Sequence, residues 1–137
     1  MWFSREQFRV CNELKSWGLQ PRFEIGDVVA RGFADLGFEE FQVLPGSKVL
    51  SLTAGTSTPF PSDHLHHFFW IPSVDECIDL LEQAGAQCIT SERIEQRQWR
   101  VEVQVGDYVS VCNDQSLHLA LLLVLQSVYR ERYKAAS

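Results

Sequence analysis

Apolar and polar residues alternate along this chain with two periods, about 3.6 residues in some segments and two in others. The helical period is clearest at residues 73–85, where Ser73 and Glu76 form a capping-box pattern and Gly85 supplies a stop. This spacing predicts an amphipathic helix in the middle of the chain. Its apolar face comprises Val74, Cys77, Ile78, Leu81 and Ala84.

Two further helices are predicted, one near each end of the sequence. Ser4 and Gln7 form a second capping box, and Gly18 ends the segment that follows. Residues 117–128 are apolar around the whole circumference of a helix, which must therefore be buried on all sides. In a small domain a second subunit is a natural cover, so we expect a homodimer. The expected interface residues are Leu119, Leu122, Leu123 and Leu125.

A period of two predicts the strands, and it is strict at residues 99–105. Gly106-Asp107 then fits a two-residue type II′ hairpin turn. In that register Val105 pairs with Tyr108, and Glu102 pairs with Val111. One face of the hairpin is therefore mixed in polarity, with Arg100, Glu102 and Gln104 beside Val109 and Val111.

Weaker patterns occupy the first half of the chain. Pro45-Gly46 predicts a hairpin turn, and residues 53–61 predict a loop. Residues 23–25 and 64–71 favour strands. Residues 27–36 leave two alternatives open, because Val28 and its apolar neighbours fit either a strand or one face of a helix weakened by glycines.

A second set of predictions concerns the region after the central helix. Cys88-Ile89 opens a strand, and the charged residues 91–98 predict an exposed hairpin tip.

Together the elements predict an α+β protein with a single domain over residues 1–137. In it an antiparallel sheet packs with an N-terminal, a central and a C-terminal helix. The length of 137 residues and the 45% hydrophobic content suit one folded domain.

Composition narrows the classes of function. The chain carries 12 basic and 18 acidic residues, a net charge of −6, which disfavours a nucleic-acid accessory role. The N-terminal residues do not form a signal-peptide pattern, and the longest apolar run, residues 119–125, is too short for a membrane span. We therefore expect a cytoplasmic protein without a membrane partner. Four cysteines without a CxxC pair are expected to be buried thiols: Cys11, Cys77, Cys88 and Cys112.

One polar cluster offers candidate chemistry. In the predicted strand, His64 and His66 would project to one face, the spacing at which two imidazoles meet a metal ion, with Asp63 as a third ligand. The competing interpretation is a polar entry to a buried strand, with His67 and its neighbours facing solvent. His118 is expected to be a satisfied core or interface histidine. The sequence contains no nucleophile elbow or phosphate-binding loop, so we assign no catalytic residue and no cofactor.

The order of these motifs resembles a group of small phage proteins. Trp70-Ile71-Pro72-Ser73-Val74-Asp75 leads into an amphipathic helix, a tryptophan-bearing hairpin and a leucine-rich helix. This is similar to small proteins of phage and Gram-positive genomes, including those of the phage helix–sheet–helix sandwich type. The segment Pro21-Arg22-Phe23-Glu24-Ile25-Gly26-Asp27-Val28 resembles an entry motif in such proteins. The resemblance implies no catalytic residues.

These observations favour a non-enzymatic accessory protein of phage or mobile-element type. It would act through contact with an unidentified protein partner and self-associate as a homodimer. The alternative is a metal- or small-ligand-binding protein, with hydrolysis as one possible activity, that uses His64, His66 and His67.

Overall fold

A computed structural model describes residues 3–33 and 37–136 of the chain. The backbone forms two compact units, an N-terminal unit that ends at Ile71 and a C-terminal unit that begins at Pro72. Helices lie near the N-terminus, in the middle and at the C-terminus, and the strands pair in antiparallel fashion. The predicted α+β class is confirmed. The described residues form two sheets where the sequence predicted one.

The N-terminal unit begins with helix α1, Arg5–Ser16. The predicted capping box is present, since the Ser4 hydroxyl accepts a hydrogen bond from the Gln7 N–H at 3.2 Å and the Gln7 side chain accepts one from the Ser4 N–H at 2.7 Å. These bonds satisfy donors that the first helical turn leaves free. After Trp17 the chain leaves the helix through Gly18, whose φ of +111° suits glycine.

Five antiparallel strands complete the N-terminal unit, in the order β4-β3-β2-β1-β5. Their bounds are β1 Val28–Phe33, β2 Gly37–Leu44, β3 Lys48–Ser51, β4 Ser57–Pro59 and β5 Phe69–Ile71.

The strands of this sheet agree with some of the predicted elements and differ from others. The strand alternative is confirmed at β1, while residues 34–36 lie outside the described part. The hairpin turn at Pro45-Gly46 is confirmed, because β2 and β3 flank it in antiparallel register. The predicted loop 53–61 is wrong in part, since β4 pairs with β3 inside it.

Residues 23–25, predicted as a strand, form a turn instead. The Asp27 carboxylate is buried and accepts hydrogen bonds from the Glu24 N–H at 3.1 Å and from the Arg22 guanidinium at 2.7 and 3.3 Å. Phe23 takes a left-handed conformation, φ +55°, and packs against Phe60 with ring centroids 5.4 Å apart. The prediction was wrong because a buried carboxylate holds the backbone in the turn.

Both faces of the N-terminal sheet carry buried aromatic residues. On one face, Phe8 of α1 stacks on Phe38 with ring centroids 4.8 Å apart and meets Phe69 at 6.5 Å. On the opposite face, Phe41 and Phe68 form a buried cluster whose ring centroids lie 5.8 Å apart. The sheet is therefore covered on both sides.

The C-terminal unit opens with helix α2, Val74–Gln83. Its predicted capping box is confirmed, with 3.2 Å from the Glu76 N–H to the Ser73 hydroxyl and 2.9 Å from the Ser73 N–H to the Glu76 carboxylate. Gly85 follows the helix with φ +97°. The remaining elements are β6 Ala86–Ile94, β7 Gln98–Val105, β8 Tyr108–Asp114 and α3 Leu117–Ala136.

Strands β6, β7 and β8 form a meander in that order. The predicted hairpin register is confirmed, with Val105 opposite Tyr108 and Glu102 opposite Val111. The predicted tip at residues 91–98 is wrong in extent, because residues 91–94 continue β6 and pair with β7. Their charged side chains are compatible with a strand whose surface is solvated.

Helix α3 packs against β7, β8 and α2. It lies on the sheet face that contains the buried residues Val101 and Val103, where the Tyr108 hydroxyl hydrogen-bonds Ser127 of the helix. We call the opposite face of this sheet the outer face. Alternation along the three strands places these side chains on it: Cys88, Thr90, Glu92, Ile94, Gln98, Arg100, Glu102, Gln104, Val109, Val111 and Asn113.

Most of the leucines expected at a dimer interface on α3 are buried within a single chain. Leu119 is 6% exposed, and Leu122 and Leu125 are 0% exposed in a single chain, while Leu123 is half-buried. Helix α3 is buried, as its apolar composition requires, and residues of the same chain bury it. These leucines therefore give no reason to expect a second subunit, and the homodimer stays a prediction.

The cysteines are all free thiols, and they differ in environment. Cys11 and Cys77 are buried as predicted, and burial raises the pKa of the Cys77 thiol to about 12. Cys88 was predicted to be buried but is exposed on the outer face, next to a register shift between Ala86 and Cys88. None of the described helices combines the length and the apolarity needed to cross a membrane.

Candidate functional site

The histidine cluster lies on a 3-10 segment, Ser62–His67, between β4 and β5. The strand predicted for residues 64–71 is correct only from Phe69, where β5 begins. Two i→i+3 backbone hydrogen bonds, from His64 N–H to the Pro61 carbonyl and from Phe68 N–H to the Leu65 carbonyl, form turns in place of the strand.

Lys15 of α1 stabilises this conformation. Its ammonium group donates hydrogen bonds to the carbonyl oxygens of His66 and Phe68, the latter at 2.7 Å. Partial burial lowers the pKa of Lys15. Because the lysine holds these carbonyls in the turn conformation, the segment does not extend as the strand predicted from residue 64.

The turns bring the three imidazole rings of the segment together on the surface. The ring centroids of His66 and His67 are 4.0 Å apart, and those of His64 and His67 are 5.8 Å apart. All three histidines are exposed. The predicted pairing of His64 with His66 on one strand face is therefore replaced by a cluster with His67 between the other two rings.

Electrostatic repulsion lowers the pKa of His67, the middle ring of this cluster. The pKa of His67 is lowered, first by the neighbouring His66 and then by desolvation, His64, Lys15 and Arg31. A neutral imidazole is the form that binds metal ions, so a lowered pKa favours that form near neutral pH.

The geometry of a complete metal site is not present among the described residues. No group of three or more histidine, cysteine, aspartate or glutamate side chains in this part of the chain is placed to hold a metal ion. Asp63, the predicted third ligand, is exposed at the start of the segment. Metal binding by Asp63, His64 and His66 stays a prediction.

His118 is satisfied, as the sequence predicted. Its Nε2 lies 2.6 Å from the carbonyl oxygen of Pro72, within the C-terminal unit. The hydrogen bond ties the first turn of α3 to the residue just before the N-cap of α2. This position indicates a structural role for the ring.

The outer face of the C-terminal sheet is the second candidate site. Val109 is 51% exposed and Val111 is 43% exposed, and both project from β8. Beside them Arg100 and Glu102 of β7 form an ion pair at 3.7 Å. Two aliphatic side chains bordered by charged and polar groups resemble the composition of a transient protein contact surface.

A shallow pocket lies on this face at the end nearest the β7–β8 turn. It encloses about 170 Å³ and is lined by Cys88, Glu102, Gln104 and Val109. The volume is below the usual range for small-molecule sites, roughly 300–1,000 Å³. Its lining residues present one carboxylate, one amide and one thiol. The pocket therefore suits a side chain of a partner better than a substrate.

Strand β8 also forms one edge of the C-terminal sheet. Seven residues long, from Tyr108 to Asp114, it contains no proline and no lysine. Such an edge presents backbone N–H and C=O groups that another strand can pair with. Strand β8 therefore contributes side chains to the outer face and backbone groups to the free edge.

No protein-family model, no curated protein and no solved structure matches the chain.

Sequence reasoning identified the mixed face but did not recognise it as a site. The hairpin register already placed Val109 and Val111 beside Arg100 and Glu102. The additional information needed was which face α3 covers and that β8 is an edge, and both depend on contacts between distant segments. The histidines were found by composition, while their arrangement depends on Lys15, about 50 positions earlier in the chain.

Proposed function

We propose that this protein is a non-enzymatic protein-interaction module whose contact surface is the outer face of its C-terminal sheet. One observation carries the proposal: α3 covers one face of the sheet, while Val109 and Val111 stand 51% and 43% exposed on the other. Burial of apolar surface is the main driving force for association, and these side chains are available for it.

The surroundings of the two valines support protein contact over catalysis. The Arg100–Glu102 ion pair and the amide of Gln104, on the central strand β7, place polar groups directly beside the two valines. Polar groups next to an apolar contact contribute orientation and specificity to an interface. The net charge of −6 also favours a protein partner over nucleic acid.

The biological setting is part of the same proposal. An accessory role in a phage or mobile element rests on the resemblance of the Trp70–Asp75 and Pro21–Val28 segments to small phage proteins. A cytoplasmic location rests on the sequence, and the four free thiols are compatible with a reducing compartment.

Site-specific photo-crosslinking in the cells that produce the protein tests the contact surface. A benzoylphenylalanine placed at Val109 should give a discrete covalent adduct that mass spectrometry identifies. The matched control is Ile25, which is 69% exposed but lies on the N-terminal unit. An adduct from Val109 and none from Ile25 supports the proposal, whereas equal labelling from both positions, or none from Val109, contradicts it.

A second candidate function is metal or small-ligand binding by His64, His66 and His67, supported by the 4.0 Å separation of the His66 and His67 rings. If zinc binds there, it should raise the melting temperature, and the rise should grow with the ratio of the zinc concentration to its dissociation constant. A His64→Ala, His66→Ala double variant should abolish that rise. An unchanged melting curve of the unmodified protein in zinc would exclude zinc binding at this cluster.

A further inference from the structure

We propose that a second copy of this chain joins the outer face at its β8 edge, by antiparallel pairing of the two β8 strands about a two-fold axis at Val111. The inference rests on the proposed function, which it extends by naming the partner. The proposed interface uses the β8 edge instead of the four expected α3 leucines, three of which are buried.

The hairpin geometry shows which backbone groups of β8 point outward. Residues that flank a two-residue turn form a hydrogen-bonded pair, here Val105 and Tyr108. Hydrogen-bonded and non-hydrogen-bonded pairs then alternate along the ladder. Val109, Val111 and Asn113 therefore direct their N–H and C=O groups away from β7, toward the free edge. The same three residues place their side chains on the outer face.

The other sheet edges carry devices that discourage pairing. Strands β4 and β5 are three residues long, β4 ends at Pro59, and Pro72 follows β5. Strand β6 contains a register shift between Ala86 and Cys88 and carries adjacent charges at Glu92 and Arg93. Short strands, prolines, bulges and charges are the means by which proteins protect edges. Strand β8 is seven residues long, contains no proline or register shift, and carries its one charged residue, Asp114, at its end.

The sequence of β8 is compatible with antiparallel pairing to β8 of a second copy. With Val111 opposite Val111 of the second copy, all seven residues pair: Tyr108 faces Asp114, Val109 faces Asn113, and Ser110 faces Cys112. This register sets no like charges opposite each other. It also brings the exposed valines of both copies onto one continuous face, which is the self-complementarity that a two-fold interface requires.

Sedimentation equilibrium of the full chain at micromolar concentrations tests the proposal. The unmodified protein should have about twice the chain mass of 15.7 kDa. Val111→Lys and Val111→Glu should each be monomeric, because each places like charges opposite one another at the axis. An equimolar mixture of the two variants should recover the dimer, since opposite charges then meet. Thr90→Lys, on the same face but at the β6 edge, is the matched control and should stay dimeric.

Any one of three results overturns the proposal. The unmodified protein is a monomer, the Val111→Lys variant by itself is still a dimer, or the mixture of the two variants stays monomeric. Circular dichroism of each variant confirms that it is folded. The outcome also separates the two proposals. A monomer whose Val109 crosslinks to a different protein keeps the proposed function and overturns self-pairing, whereas a monomer without any Val109 adduct overturns both.

Discussion

The two sheets of this protein differ in how many of their faces are buried. The five-stranded N-terminal sheet is covered on one face by Phe8 of α1 and on the other by Phe68 and its neighbours. The three-stranded C-terminal sheet buries Val101 and Val103 on one face and leaves Val109 and Val111 exposed on the other. The N-terminal sheet therefore carries buried side chains on both faces, whereas the C-terminal sheet has one face available for contact with another molecule.

The strand sequences explain this difference. In the N-terminal sheet, adjacent residues Phe68 and Phe69 are both buried, although they project toward opposite faces. In the C-terminal sheet, buried Val101 and Val103 alternate with Arg100 and Glu102. Alternation of this kind is typical of an antiparallel sheet that has one solvated face.

The largest expected effects come from the aromatic residues on the two faces of the N-terminal sheet. Phe8→Ala and Phe68→Ala should each lower the free energy of unfolding by about 3–5 kcal/mol, because both side chains are almost fully buried. Val109→Thr on the outer face should change it by about 0.5 kcal/mol or less. Urea denaturation measures all three. A small loss for Phe68→Ala would show that the second face of the N-terminal sheet is not a core.

The next effect concerns the turn at Asp27. Asp27→Ala removes the acceptor for the Glu24 N–H and for the partly exposed Arg22 guanidinium, and should cost about 1.5–3 kcal/mol of unfolding free energy. Asp27→Asn retains an acceptor and should cost less. Glu24→Gln, which removes only the exposed ion pair with Arg22, is the control and should change stability by about 1 kcal/mol or less.

The two helix caps give a smaller and directly comparable effect. Ser4→Ala and Ser73→Ala should each cost about 1 kcal/mol, because each removes the side-chain acceptor of a complete capping box. The melting temperature should fall by roughly 2–6 °C in each case. If the chain unfolds as the single domain predicted from its sequence, both variants lower the same calorimetric transition. Two transitions, each moved by only one variant, would contradict that prediction.

The smallest effect concerns the histidine cluster. The pKa of His67 should lie below its ordinary value of about 6.5, and His66→Gln should raise it by removing the neighbouring positive charge. An NMR titration of the ring protons measures both values. Because the pKa of His67 is lower in the folded state, protonation of this ring opposes folding. That destabilisation is absent above about pH 6.5 and increases as the pH falls through the unfolded and then the folded pKa. An unchanged His67 pKa in His66→Gln contradicts the assignment.

Sequence alone was sufficient where the determining contacts are local. The capping boxes at Ser4 and Ser73 and the register at Gly106-Asp107 involve residues within a few positions of one another, and all three were confirmed. The β4 strand was not predicted, because polar residues become a strand there only by pairing with β3.

Long-range contacts account for the other errors. The histidine segment became a 3-10 structure because Lys15 binds its carbonyls, and a distant lysine leaves no periodic signal in the sequence. The leucines of α3 were expected at a dimer interface because the sequence does not show which residues pack against them. The apolar composition required burial, but only the fold shows that the chain provides it.

The most direct test of the central claim is residue-resolved hydrogen exchange along β8. The amides of Tyr108 and Ser110 point toward β7 and should be protected at every protein concentration. The amides of Val109 and Val111 point to the free edge, so the account predicts that they exchange rapidly in dilute protein and become protected as concentration rises. Rapid exchange of Val109 and Val111 at every concentration would contradict self-pairing at this edge.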